Sequence, residues 1–256
     1  MDLIWLEVPQ WKNHDGLLHG FLGRRRGKSA GPFASLNLSF RVGDDPQIVK
    51  DNICDVKRAV GVHDGRIVTM KQVHGNQILA VKDRGIKEAG EADGMVTEEN
   101  GIFLGVLTAD CVPILFSVSD RKLAAVVHAG WRGTLAGIAP KMINHLRGRY
   151  GVEPASIEAA LGPAIGSCCY EIGTDVSLPL LQKWGNLAER CLHMKGGKNF
   201  LDLRGLNSLL LQEAGVPHRQ IFSTGPCTSC AAEDFFSYRR EKKETGRQLS
   251  FIGLMK

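Results

Sequence analysis

Residues 101–134, GIFLGVLTADCVPILFSVSDRKLAAVVHAGWRGT, leave little freedom in how the chain folds. Three short apolar runs, 102–107, 112–118 and 123–127, are separated by turn residues, among them Ser119-Asp120-Arg121-Lys122. Runs of this length, rich in Val, Ile and Leu, suit strands buried on both faces, which demands a covering layer on each side. The first run delivers Thr108, Ala109, Asp110 and Cys111, and the third delivers His128. A Cys and a His brought to neighbouring strand ends have the geometry of a site. Gly130-Trp131-Arg132-Gly133 then turns the chain into a helical segment.

The rest of the chain supplies the layers. Asp45-Pro46 is a cap and first turn, with apolar positions at Ile48, Ile53, Val56 and Val60 behind it. Residues 62–73 hold a strand, IVTMKQV, that ends at His74-Gly75, and 77–81 is a further strand. Helical spacing of Ile138, Met142, Ile143 and Leu146 predicts a helix over 135–150, with Gly151 as its cap. Helices follow at 174–184 and 201–214, and strands at 157–161, 221–222 and 248–254. There is no repeat, low-complexity tract or linker. At 256 residues and 43% hydrophobic, the chain suits one α/β domain spanning 1–256.

Charge and cysteine usage narrow the setting. The net charge is +5, partly local to Arg24-Arg25-Arg26 and Arg239-Arg240-Glu241-Lys242-Lys243, both read as solvated faces. Neither run is interleaved with aromatics as a single-strand surface would be, so nucleic acid is not expected. No run reaches the roughly 18 apolar residues of a membrane span, and the N-terminus has no signal-peptide pattern. Seven scattered cysteines without a signal favour a reducing cytoplasm, with thiols free or on metal. Cys168 and Cys169 would point to opposite sides of an extended chain and read as packing residues. Cys227-Thr228-Ser229-Cys230 has no second C-x-x-C to complete a zinc ribbon and reads as a turn.

His74, Cys111 and His128 carry the chemistry. One thiolate and two imidazoles, with a fourth position left open, are the plan of a catalytic zinc site. The same residues also suit a thiolate nucleophile with its base, or ordinary hydrogen-bonded structural groups. Lys71, Gln72, Arg41, Arg132 and Arg240 are candidates for anion or base recognition. Arg132 lies where strand becomes helix, a junction suited to an oxyanion or phosphate.

Several phrases carry a resemblance: Ser35-Leu36-Asn37-Leu38, Lys71-Gln72-Val73-His74-Gly75, Ala92-Asp93-Gly94, Thr108-Ala109-Asp110-Cys111-Val112-Pro113, His128-Ala129-Gly130-Trp131-Arg132-Gly133 and Gly162-Pro163-Ala164-Ile165-Gly166. With Cys168-Cys169-Tyr170-Glu171 and Phe235-Phe236-Ser237-Tyr238-Arg239-Arg240, they resemble the YfiH family, also called the laccase-domain or multicopper polyphenol oxidase family. Arg41 stands where the family usually has His, and Gly23-Arg24 where it usually has Thr-Arg.

The resemblance implies a layered α-β-β-α sandwich with mixed sheets, related in shape to a toxin deamidase. It implies a metal, zinc or copper, on His74, Cys111 and His128. It also implies phosphorolysis of adenosine, inosine and methylthioadenosine, with adenosine deamination as a side activity. Asn37, Arg41, Lys71, Gln72 and Arg240 are then expected to contact substrate or phosphate, Lys71 and Arg41 together with Arg132 supplying charge. Asp93 is expected to shuttle the proton in deamination. The partners are purine nucleosides and phosphate, and the chain is a monomer or homodimer. A true multicopper oxidase needs a His-rich ligand set, and this chain has eight His in all. A copper-dependent polyphenol oxidase, a Cys-His hydrolase and a non-catalytic metal-bound nucleotide-binding module are the alternatives.

Overall fold

A computed structural model of the chain describes residue 3 and residues 5–62, 66–83, 85–118, 122–242 and 244–255. Two six-stranded sheets stack face to face. In the first, the strands run Trp5–Leu6, Leu17–Leu22, Gln248–Leu254, Ile102–Thr108, Arg66–Lys71, Glu88–Glu91. In the second they run Ile221–Ser223, Ile157–Leu161, Val112–Val118, Ala124–Ala129, Gly94–Thr97, Ile78–Ala80. Each sheet mixes parallel and antiparallel pairs. A smaller three-stranded sheet stands apart from them.

Strand alternation sorts the core into three apolar layers. Leu104, Val106, Leu115, Val126 and Ile252 fill the space between the sheets. Their neighbours Phe103, Leu249 and Phe251 face outward and meet Val56 on the helix Pro46–Ala59 and Val60 just after it. On the far side, Ile114, Phe116, Ala125 and Val127 pack under the helices Ile138–Tyr150, Thr174–Trp184 and Leu203–Glu213. The order is therefore helix, sheet, sheet, helix. Burial on both faces explains why Val112–Val118 and Ala124–Ala129 read as unbroken apolar runs.

The sheets are joined by short crossings, and these crossings build the site. Residues 109–111 pass from Ile102–Thr108 in the first sheet to Val112–Val118 in the second. Residues 72–77 pass from Arg66–Lys71 to Ile78–Ala80. His74 and Cys111 thus sit where the chain changes sheets.

Local chemistry sets the element ends. Asp45 caps its helix, its carboxylate accepting the Gln47 and Ile48 amides at 2.7 and 3.4 Å. The helix expected over 135–150 is instead two, Trp131–Ala136 and Ile138–Tyr150, because Gly137 (φ 81°) takes the left-handed conformation between them. A hairpin of Leu192–Lys195 and Lys198–Leu201 precedes the last long helix. Gly196 and Gly197 both have positive φ, as a two-residue hairpin turn requires. The turn at 119–121 lies outside the described residues, as does Lys243. Among the described residues no helix is long and apolar enough to cross a membrane.

The basic loop at 24–26 is only in part a solvated face: Arg26 is exposed, while Arg24 and Arg25 are engaged. Arg24 stacks over Phe236 and reaches the Glu241 carboxylate at 2.7 Å, and Arg25 pairs with Glu233 and Asp234. These cations tie the opening loop to residues 232–241.

His19 makes the fold acid-sensitive. Its ring is buried against Trp11, and its Nε2 accepts the Val8 amide at 2.9 Å. Burial, aided by the charge of His14, lowers its pKa from 6.5 to about 4. The unfolded chain takes up a proton near pH 6.5 and the folded chain only near 4, so stability falls as pH drops through that window. The expected loss is ~3 kcal/mol. Denaturant titrations from pH 7 to 4 should show the fall, and His19→Gln should flatten it. Parallel curves for the two proteins would exclude His19 as the source.

Candidate functional site

The segment leading to His74 is pinned by two side chains. Gln72 continues the ladder where its strand ends: its amide nitrogen donates to the Leu107 carbonyl and its oxygen accepts the Leu107 amide, both at 2.8 Å. Asp93, fully buried, then gathers the turn. Its Oδ2 accepts the Val73 and Gly75 amides at 3.2 and 2.6 Å, and its Oδ1 accepts the His74 amide at 3.0 Å. That grip holds His74 at φ 59°, a conformation a non-glycine residue adopts at a cost.

Asp93 also fixes His128. Its backbone carbonyl accepts the His128 amide at 2.8 Å, and its Oδ1 lies 2.8 Å from His128 Nδ1. This bond leaves Nε2 for other work, the pattern by which a carboxylate orients a metal-binding imidazole. Cys111 is set by Asp110, which has φ 97°. The Asp110 carboxylate accepts the Thr228 hydroxyl at 2.7 Å and the Arg239 amide at 2.6 Å, and its carbonyl accepts the Ile165 amide at 2.9 Å.

The three side chains converge. A ring nitrogen of each His and the Cys111 sulfur lie within 4.8 Å of one another, and the two rings are 4.8 Å apart and steeply inclined. Burial pushes the Cys111 thiol up, but the charge and hydrogen bond of His128, with help from His74, prevail and bring it down. Burial depresses His128, while Cys111 and Asp93 prevail and raise it. The site thus favours a thiolate. A β-carbon on Gly130 would lie 2.7 Å from His74 Nδ1 and 3.0 Å from the Cys111 sulfur. The missing side chain leaves a cradle bounded by one thiolate and two imidazoles, and that donor set and space fit a transition metal.

The trio lies in a cleft of about 1110 Å³, also lined by Gln72, Arg41, Arg132, Arg239 and Arg247, by Tyr170 and Tyr238, and by apolar Phe40, Ile53, Met70 and Leu249. Arg132 stacks on Trp131 at 4.2 Å. Arg239 donates to the Glu171 carbonyl and lies over Tyr170. Arg247 donates to the Thr245 and Gly246 carbonyls. Among the described residues none of these three forms an ion pair with a carboxylate side chain. Burial lowers the Arg247 pKa, against the charges of Cys111 and Asp110, so its guanidinium is a partly desolvated cation facing the cleft.

The other expected contacts stand elsewhere. Arg41 lines the cleft, but its guanidinium pairs with Glu88 at 2.7 Å. Lys71 pairs with Glu91 on the sheet edge and does not line the cleft. Arg240 is spent on the Thr228, Ser229 and Phe235 carbonyls and on Glu241. Asn37 is fully buried; its Oδ1 accepts the Ser39 and Arg247 amides at 3.1 and 3.0 Å. Asp93 does not line the cleft either. Neither Arg239 nor Arg247 is among the contacts expected from sequence: Arg239 lies in a quoted motif whose basic run reads as a solvated face, and Arg247 belongs to no local pattern.

The turn expected at Cys227-Thr228-Ser229-Cys230 is present, but the extended, diverging pair expected at Cys168 and Cys169 is not. Cys168, Cys169, Cys227 and Cys230 come together, their sulfurs all within 4.8 Å of one another. Residues 167–169 form a turn rather than an extended strand, so adjacent side chains need not diverge.

A helix-flanked double sheet with a Cys/His cluster on the floor of a basic cleft defines a layered α/β protein built around a metal-capable site. Residues 18–255 match the family described as "Multi-copper polyphenol oxidoreductase laccase", and the chain belongs to that family. It is 39% identical to a purine nucleoside phosphorylase, YlmD, of Geobacillus stearothermophilus, covering 93% of this chain and 90% of that one. It is 35% identical to a purine nucleoside phosphorylase, YfiH, of Escherichia coli, covering 98% and 99%. The crystal structure of YlmD from G. stearothermophilus superimposes with a TM-score of 0.92 at 37% identity, covering 98% and 96%.

Proposed function

We propose that the chain is a purine nucleoside phosphorylase acting on adenosine, inosine and methylthioadenosine, with zinc on His74, Cys111 and His128 and adenosine deamination as a side activity. The observation that carries this is the pairing, in one cleft, of the trio with Arg132, Arg239 and Arg247, which among the described residues form no ion pair with a carboxylate side chain. Such cations suit an anion, and the phosphorylase name of the relatives supports reading it as phosphate.

Phosphorolysis breaks the bond between C1′ of the sugar and the purine nitrogen while a phosphate oxygen bonds to C1′. The sugar is cation-like at the transition state, so holding phosphate beside it and steadying the departing base are the main tasks. Arg132, Arg239 and Arg247 hold the phosphate. Phe40, Met70 and Leu249 give the purine an apolar wall. Burial raises the Tyr170 phenol above its ordinary value, so it stays protonated and donates to a substrate oxygen. His74, Cys111 and His128 would hold the zinc, which when bound would supply Lewis acidity toward a substrate acceptor atom.

Asp93 is a positioning residue here. Each of its oxygens already serves two partners behind His128, which leaves little for the proton shuttle expected from sequence. Asp93→Asn should weaken metal binding about 10- to 100-fold, and excess zinc should restore part of the activity; a variant with unchanged zinc affinity would refute that role. A multicopper oxidase fits less well. Among the described residues the groups able to hold a metal are the trio and the four cysteines, and neither is His-rich.

The test is incubation of the protein with adenosine, inosine or methylthioadenosine, with and without phosphate. Release of free purine and a sugar phosphate, dependent on phosphate, is expected. Zinc-loaded protein that leaves all three nucleosides intact would overturn the function.

A further inference from the structure

We propose that Cys168, Cys169, Cys227 and Cys230 form a second metal centre, an all-thiolate zinc site that clamps one wall of the cleft. Four sulfurs each about 2.3 Å from one zinc stand about 3.8 Å apart in a tetrahedron. Cys230 lies 3.6 Å from Cys168 and 3.4 Å from Cys169, sulfur to sulfur, and all four sulfurs fall within 4.8 Å. Little movement would bring them to that tetrahedron.

The backbone is arranged to hold thiolates. Cys227 accepts the Gly166 amide at 3.2 Å, and the backbone amides of Ser229 and Cys230 close by also favour its charged form. A C-x-x-C turn whose first sulfur collects the following amides stabilises negative charge on sulfur. The Cys168-Cys169 side is a turn as well: the Cys169 and Tyr170 amides both donate to the Gly166 carbonyl, at 3.0 and 2.9 Å. Soft thiolates in this number select zinc over hard cations. Cys168 and Cys230 are exposed, so metal can reach the site.

The two loops it would join both serve the cleft. Tyr170 follows directly on Cys169, and Thr228, inside the C-x-x-C, donates to Asp110 beside Cys111. The same carboxylate accepts the Arg239 amide. A zinc tying 168–169 to 227–230 would fix Tyr170, Asp110 and Arg239 relative to one another. The centre is separate from the trio and does not depend on what reaction the trio performs.

Metal counting on reduced, anaerobically purified full-length protein tests this. Cys230→Ser and Cys168→Ser should each lower bound zinc by about one per chain relative to the parent, and Cys111→Ala should leave that zinc in place. With cobalt(II) in place of zinc, the parent and Cys111→Ala should both show the visible absorption of a tetrahedral all-sulfur site, and Cys230→Ser should lose it. Should the serine variants fail to fold, alkylation of the parent decides. Cys168 and Cys230 should resist iodoacetamide until a chelator is added, while Cys54, also exposed, reacts at once. Serine variants with the parent's zinc count and cobalt spectrum would overturn the proposal. So would alkylation of Cys168 and Cys230 as fast as Cys54 without chelator, or an intact mass showing disulfides in the fresh protein.

Discussion

Replacing Gly130 by alanine is expected to remove the metal held by His74, Cys111 and His128 and lower activity by at least about 100-fold while leaving the protein folded. The new β-carbon would lie 2.7 Å from His74 Nδ1, closer than such contacts allow, and 3.0 Å from the Cys111 sulfur, tighter than most. Both groups must retreat, and a displacement of about 1 Å in a catalytic constellation can cost about 100-fold. The backbone itself accepts the change, because Gly130 has φ −76° and ψ 173°. Gly148→Ala is the matched control. It lies inside Ile138–Tyr150, its added carbon would meet nothing within 4 Å, and a helical alanine should stabilise by about 0.5–1 kcal/mol. Metal content, turnover and thermal melting separate the outcomes. A Gly130→Ala enzyme that keeps its metal and full turnover would show that the trio does not work from that cradle.

The fold was legible wherever burial forced a pattern. Val112–Val118 and Ala124–Ala129 are buried at every position, so no polar residue interrupts their apolar runs. The trio was legible too, because each member ends or follows a strand. What stayed hidden depends on distance in sequence. Residues 168–169 and 227–230 meet only because a parallel bridge joins Ala164 to Cys227, and no local spacing foretells that. Lys71 and Arg240 looked like free cations because a sequence does not show which carboxylate or carbonyl will claim them. Asn37 was recognised in a motif, yet it serves the site at one remove, by holding the Arg247 amide.

Arg247→Met is expected to raise the phosphate KM strongly with little change in nucleoside KM. The methionine keeps much of the apolar stem and removes only the charged head. Arg247 is the most telling of the three cations, because burial lowers its pKa and the charges it senses come from Cys111 and Asp110 in the site. A half-buried guanidinium whose hydrogen bonds, among the described residues, go to neutral carbonyls gains most from an arriving anion. Charge-assisted hydrogen bonds contribute about 1.5–3 kcal/mol, so phosphate KM should rise about 10- to 150-fold. Because Asn37 Oδ1 accepts the Arg247 amide, Asn37→Ala should shift phosphate KM in the same direction by a smaller factor. Steady-state kinetics with phosphate and nucleoside varied separately decide the matter. If Arg247→Met leaves phosphate KM unchanged, the anion is held by Arg132 and Arg239 alone, and the half-buried charge of Arg247 must serve the nucleoside instead.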